Sequence, residues 1–249
     1  MNEIRGRFQT APASLAFPEL EPVTVDKVGH RPPPVPARKV SAPAKREPVS
    51  QTGQLKTTVM SFRNMHEHGD LLVKYLEARR AIFVDRLNWH VPESEGMEFD
   101  QYDTPFCRWV ILHEFGEILG GVRLLPTTAQ VGMYSYMLRD AQSGILVDIP
   151  TDVLFFRAPV EEHIWEASRF FITDKVPASR RLQVQNTLFE QMRRAAQSGG
   201  ATHILGIVPA IWSRWARRLD VGATPIGAKF SIDGTVSQSV LFNTTRFVN

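Results

Sequence analysis

From Arg108 to Phe242 the sequence switches repeatedly between the period of a strand and the period of a helix. Arg108–Phe115 and Ile118–Leu125 are apolar runs separated by Gly116-Glu117, which predicts a hairpin. Ile164–Thr173 has strand character between Pro159 and Pro177. Leu182–Ala196 reads as a helix with Leu182, Leu188, Phe189 and Met192 on its apolar side, Ser179 as N-cap and Gly199-Gly200 as stop. His203–Val208 is a short apolar strand that Pro209 is expected to end, because proline cannot extend a central ladder. A helix over 210–219 and two strands, Lys229–Ile232 and Val236–Phe242, complete the pattern. Hairpins demand antiparallel neighbours and crossovers demand parallel ones. The predicted fold is therefore α/β, a three-layer sandwich with a mixed central sheet. Upstream, Met65, Leu72, Tyr75, Leu76 and Ile82 predict a helix over 61–83. Residues 88–105, punctuated by Pro92, Gly96 and Pro105, read as a long ordered loop, and Met133–Leu138 as a short helix.

Charge divides the chain into parts. Residues 1–50 hold 8 basic and 5 acidic side chains and 9 of the 17 prolines, including the run from Arg31 to Pro36. Such a segment has little to bury and few backbone donors to pair, so residues 1–55 are expected to be a disordered, Pro-rich, basic extension and 56–249 a single domain. The net charge of +3 comes from the extension. Within the domain, residues 51–168 carry 10 basic and 17 acidic groups, whereas 169–229 carry 10 basic and 3 acidic. One half suits a cationic ligand and the other an anionic partner, and the balance speaks against a nucleic-acid reader. No apolar run reaches the length of a membrane span and no charged-then-apolar leader opens the sequence, so a cytoplasmic, membrane-free setting is expected. The lone Cys107 allows no internal disulfide and no multi-cysteine zinc site.

Four clusters mix aromatic, arginine and acidic residues. Arg79 and Phe83 share a helical face and Trp89 follows closely, a set that suits an anionic group or a planar ring. Glu98, Asp100 and Asp103 crowd one irregular segment, where mutual repulsion requires solvent, a metal or an organic cation. Arg123 sits among Val122, Leu124 and Leu125, and a buried arginine calls for a carboxylate. In Trp165-Glu-Ala-Ser-Arg-Phe170, a regular strand sends Glu166 and Arg169 to opposite faces, and a bulge would bring them together. The histidines lack metal-ligand spacing, and Walker, dinucleotide-binding and nucleophile-elbow motifs are missing.

In this order the residues resemble the acyl-homoserine-lactone synthases, the LuxI-type autoinducer synthases. The shared pattern is Arg79, Phe83, Trp89, Glu98, Asp100, Asp103, Arg123, Trp165, Glu166, Ser168, Arg169 and Phe170, over about residues 60–245. The resemblance implies a GNAT acyltransferase-like fold. It also implies a reaction in which the amino group of S-adenosylmethionine, a substrate, attacks an acyl thioester and the methionyl carboxylate then expels methylthioadenosine. It implies no cofactor and no metal. Arg79, Phe83, Trp89, Asp100, Asp103, Arg123 and Arg169 are then expected to hold S-adenosylmethionine, and Glu98 or Glu166, with Glu166 preferred, to act as base. Trp165, Phe170, Val208 and Trp212 would form the acyl pocket. Arg180, Arg181, Arg193, Arg194, Arg217 and Arg218 would meet an acidic acyl carrier protein, with acyl-CoA as the other possible donor. The Ser179-Arg-Arg-Leu stretch has no glycine to cradle a coenzyme A pyrophosphate, which weighs against acetyl-CoA. Val208, where the family associates a threonine with 3-oxo-acyl donors, cannot donate a hydrogen bond, so an unsubstituted acyl chain is expected. The competing expectations are a GNAT-type N-acyltransferase using acyl-CoA and another amine, and a non-enzymatic binding module.

Overall fold

The computed structural model describes residues 55–210, 222–232 and 234–244. The expected extension lies outside these residues apart from Leu55, as does the expected helix beyond Ala210, with Trp212, Arg217 and Arg218. In chain order the described elements are β1 (Lys56–Met60), α1 (Leu71–Arg80), β2 (Glu93–Ser94), β3 (Met97–Glu98), β4 (Arg108–Glu114), β5 (Glu117–Pro126), α2 (Met137–Gln142), β6 (Ile164–Ile172), α3 (Ala178–Ser198), β7 (His203–Pro209), β8 (Ala223–Ile232) and β9 (Thr235–Asn243). Seven strands form one sheet in the order β1-β4-β5-β6-β7-β9-β8. Among the described strands only β6 and β7 run parallel, joined by the crossover through α3. The mixed α/β sheet expected from the sequence is the one observed.

Period-two alternation sorts the strands between two cores. Trp109, Ile111, Leu125 and Phe171 pack with Tyr75, Ile82 and Phe83 on one side of the sheet. Val110, Leu112, Val122, Leu124 and Ile172 pack on the other side with Val184, Leu188, Phe189 and Met192 of α3. Three layers result, and the site described below belongs to the α1 side.

Several boundaries differ from expectation for identifiable reasons. The helix expected over 61–83 is broken at Gly69, whose φ of 56° is left-handed, and a 3-10 turn (Met65–His68) precedes α1. Beyond α1 the chain widens into a π-turn, Ala81–Arg86, in which the Leu87 amide bonds the Ile82 carbonyl. Ser179 is not the N-cap of α3. Pro177, extended at φ −57° and ψ 148°, fills that place, since its missing N–H would be unpaired at a helix start anyway. The hairpin turn falls on Phe115 and Gly116, both at positive φ, because Glu117 already pairs with Glu114. The short helix starts at Met137 rather than Met133, after a turn closed by the Val131–Tyr134 bridge.

Two irregularities shape the centre of the sheet. Opposite Val122 the β5–β6 register slips, so that Gly121 faces Phe171 but Arg123 faces Ser168. The residues left over make a bulge, with Arg169 at φ 56°. Further, β6 and β7 pair only over Ile164–Glu166 and His203–Leu205, and then part. Pro209 therefore extends β7 by one residue at no cost, because by that point only β9 pairs with it.

Gly121 is fixed by close packing. A Cβ there would lie 2.4 Å from the ring of Tyr75, which is fully buried, and 3.1 Å from the Val110 carbonyl oxygen. Gly121→Ala is expected to destabilise the domain by about 1–3 kcal/mol through overpacking, read as a lower urea midpoint at unchanged m-value.

Candidate active site

The four clusters converge. Residues 99–107, an irregular stretch after β3, lay Asp100 and Asp103 against the α1 face of the sheet, while Glu98 ends β3 itself. Arg79, fully buried at the end of α1, donates from Nε to Glu98 and through both terminal nitrogens to Asp103, at 2.7 and 3.1 Å. Arg123, also fully buried, grips Asp100 with both terminal nitrogens, lies 3.0 Å from Asp103 and donates from Nε to the Ser168 hydroxyl at 3.1 Å. Arg169 donates to Glu98 and to Asp100, each at 3.0 Å. The Trp109 indole N–H donates to Asp103 at 2.9 Å.

The bulge explains how Arg169 reaches this lattice. Ser168, opposite Arg123, points to the α1 side, so the next residue of a regular strand would point toward α3. The left-handed backbone at Arg169 returns it to the α1 side. The expected bulge is present, yet it does not join Arg169 to Glu166: the arginine goes to Glu98 and Asp100 instead.

Three carboxylates thus face three guanidiniums. Burial pushes Asp103 up, but Arg123 and Arg79 outweigh it and hold the carboxyl well below its usual range. Asp100 is held down in the same way by Arg123 and Arg169 against its burial. The acidic loop expected to face a cation therefore has its charge answered from within the protein. Among the described residues no group of three or more His, Cys, Asp or Glu is arranged to hold a metal ion.

Phe83 and Trp89 stack at 5.0 Å with 29° between their planes. The π-turn and the left-handed Asn88 fold the chain back so that the Trp89 amide bonds the Phe83 carbonyl at 2.8 Å. The Arg169 guanidinium lies over the other partner of this stack, 5.4 Å from the Phe83 ring centre.

Glu166 stands apart from the lattice. It is 1% exposed, and its two oxygens accept the backbone N–H groups of Met137 and Leu138 at 3.0 and 2.8 Å. Burial raises its carboxyl to about 7, even though those two N–H bonds and Arg123 oppose the shift. It occupies the last position at which β6 and β7 still pair. Cys107 is buried, and burial pushes its thiol up to about 12, which makes it a poor nucleophile.

The remaining predicted residues lie elsewhere. Trp165 is packed in the α3-side core beneath the Arg108 guanidinium, and Phe170 and Val208 are partly buried against that same core. Of the predicted docking arginines, Arg180 pairs with Glu114 and Arg181 with Asp174, while Arg194 pairs with Glu190 and remains largely exposed. Arg193 is built into the fold, bonded to Glu190, Gln197 and the Thr244 carbonyl. Sequence reasoning missed Trp109, Tyr102 and the two backbone donors to Glu166. A main-chain N–H leaves no mark in a sequence.

The sequence model for autoinducer synthases matches residues 63–246. The chain belongs to the autoinducer synthase family. An acyl-homoserine-lactone synthase of Vibrio anguillarum is 29% identical over 161 residues, covering 63% of this chain and 77% of that one. The crystal structure of TofI in a ternary complex with an inhibitor and MTA is 29% identical, with a TM-score of 0.61 over 76% of this chain and 91% of that one. An acyl-CoA N-acyltransferase of Pseudomonas aeruginosa, 13% identical, shares the fold at a TM-score of 0.52 over 76% of this chain and 99% of that one. This autoinducer synthase is thus a GNAT-like acyltransferase in architecture, of the acyl-homoserine-lactone synthase class.

The lattice should make the fold of the synthase acid-sensitive. Because Asp100 and Asp103 titrate lower folded than unfolded, their stabilisation is complete above about pH 5 and drains as pH falls through the folded values. The thermal midpoint should drop steeply on acidification below about pH 5. Asp103→Asn should cost about 3–5 kcal/mol at neutral pH by leaving guanidinium groups short of a partner, and should flatten that acid slope.

Proposed function

We propose that this enzyme makes an N-acyl-homoserine lactone from S-adenosylmethionine and an acyl thioester. The α-amino nitrogen attacks the thioester carbonyl, forming the amide and releasing the thiol. The methionyl carboxylate then attacks the γ-carbon, closing the lactone and expelling methylthioadenosine. The observation that carries this reading is Glu166, a buried carboxyl raised to about 7 where β6 and β7 part, within the electrostatic reach of Arg123 of the arginine–carboxylate lattice.

An attacking amine must first lose a proton, and a free α-amino group titrates near 8. A base near 7 suits that transfer at neutral pH. Each Glu166 oxygen has a second lone pair beyond the one that accepts a backbone N–H, so it retains capacity for the incoming proton. Glu98 is the weaker candidate, because the fully buried Arg79 and the nearly buried Arg169 occupy its two oxygens. We assign Glu98 to holding the arginines. Arg79, Asp100, Asp103, Arg123 and Arg169 would shape the S-adenosylmethionine site. With the lattice carboxylates already paired, the sulfonium or the adenine ring would rest on the Phe83–Trp89 stack.

For the donor, we favour acyl carrier protein over coenzyme A and a cytoplasmic setting. Arg180, Arg181 and Arg194 give the exposed side of α3 the positive charge that an acidic carrier needs, and the first turn of α3 contains no glycine. Trp165, Phe170 and Val208 border the α3-side core, where an acyl chain entering between β6 and β7 would lie. The unsubstituted acyl chain rests on Val208.

An extract of a host expressing the enzyme should contain an N-acyl-homoserine lactone by mass spectrometry, whose mass names the acyl group. Glu166→Gln and Arg169→Ala should each abolish it and stop methylthioadenosine release by purified enzyme, on the order of a hundredfold or more for loss of a proton-transfer group. Release unaffected by Glu166→Gln would remove Glu166 as base. Val208→Thr should raise the use of 3-oxo-acyl thioesters relative to unsubstituted ones, measured as a ratio of kcat/KM values.

A further inference from the structure

Asp140, in the middle of α2, is 2% exposed and accepts three kinds of donor. The Ser135 amide reaches its carboxylate at 3.0 Å, the Ser135 hydroxyl at 2.5 Å and the Tyr102 hydroxyl at 3.0 Å. Ser135 stands just before α2, and the two residues after Tyr136 turn their N–H groups outward to Glu166. One face of this turn is thus held by a carboxylate of the helix, and the other holds the carboxylate of the strand. Tyr102 belongs to the acidic loop, where its amide bonds Asp100 and its ring lies 5.5 Å below the Arg123 guanidinium. Asp140 is the point at which the arginine–carboxylate lattice and the Glu166 cradle are fastened together.

We propose that Asp140 is a positioning residue of the reaction: it fixes the turn whose N–H groups hold Glu166 and ties that turn to the acidic loop. The inference rests on the reading of Glu166 as the base. Among the described residues, the side chains facing Glu166 are Arg123 from β5, Asp140 from α2, Tyr136 just before α2, and Tyr102 from the acidic loop; its register partner on β7 is the apolar Leu205. Among these, Arg123 favours the ionised carboxylate and Asp140 disfavours it. Asp140 thereby adds to the upward push that burial supplies, as well as fixing the place of the base.

Asp140→Asn keeps the shape and removes the charge. In a pH profile of kcat, the limb that rises as the base loses its proton should move to lower pH by about half a unit or more, since a nearby negative charge has gone. The value of kcat on the plateau should fall about tenfold with a weaker and less firmly held base, while KM for S-adenosylmethionine stays within about threefold. Ser135→Ala and Tyr102→Phe each remove one bond to Asp140 and keep its charge. They should lower kcat several-fold and leave the limb where it is, and they carry the test if Asp140→Asn does not fold. An unmoved limb in folded Asp140→Asn, or full kcat in both other variants, overturns the proposal. Glu166→Gln separates the two levels. If it keeps the rising limb, the base reading fails and the proposal with it. If it is inactive while Asp140→Asn keeps the wild-type limb, only the role of Asp140 fails.

Discussion

Moving a guanidinium out of water costs several kcal/mol, and Arg79 and Arg123 are both fully buried. That cost is tolerable only where carboxylates answer nearly every donor, and this requirement dictates much of the surrounding architecture. With Glu98 at the end of β3, Asp100 and Asp103 must come from a segment free to bend, because carboxylates aimed at three different arginines do not fit one face of a helix or strand. The segment that supplies them is irregular, pinned by the Asp100 and Tyr102 amides on Asp103 and Asp100, and backed by Trp109. Replacing such a lattice with apolar residues is often neutral or stabilising. Stability alone does not account for it.

The same demand reaches into the sheet. Arg123 lies on β5 and Arg169 on β6, and a regular β6 would point Arg169 toward the α3-side core, where carboxylates are scarce and apolar groups dense. The bulge opposite Val122 corrects this by one residue. It also restores the alternation afterwards, so that Phe171 packs near Tyr75 and Phe83 while Ile172 joins the other core. An irregularity of this kind costs ladder hydrogen bonds, which explains its position in the interior of a long strand with good pairing on both sides of it.

What the sequence made legible follows from where periodicity is strong. The β4–β5 hairpin and α3 have unbroken apolar patterns, and both appear close to their expected bounds. Arg123 announced its burial through its neighbours Val122, Leu124 and Leu125, and the acidic loop announced its need of cations. The π-turn after α1 was invisible, because an extra residue in a helical turn shifts the hydrogen bonds without altering composition. The pairing of each acid with each arginine was also hidden. Spacing showed that Glu166 and Arg169 required a bulge to share a face, but not that Arg169 would then reach past Glu166 to partners about seventy residues earlier. The cradle of Glu166 was the least legible of all, being made of two main-chain amides whose direction depends on a buried aspartate in the next turn.

Besides Asp140, the described residues of the site hold four buried carboxylates, and their surroundings differ. Asp100 and Asp103 each meet two arginines, so they stay ionised and serve as fixed charge. Glu98 is clasped between Arg79 and Arg169. Glu166 has no ion-pair contact among the described residues, and two amide N–H bonds together with the charge of Arg123 leave its burial only partly compensated, which lifts it toward neutrality. A carboxylate already bound by guanidinium would gain little from a proton, while one raised to about 7 can take a proton at neutral pH and give it back. On the proposed reading of Glu166 as the base, the reaction turns on an arginine being withheld: the bulge sends Arg169 to Glu98 and Asp100, and Glu166 keeps its two N–H donors. Had the strand delivered Arg169 to Glu166 instead, the ion pair would have held down a carboxyl that burial now raises to about 7.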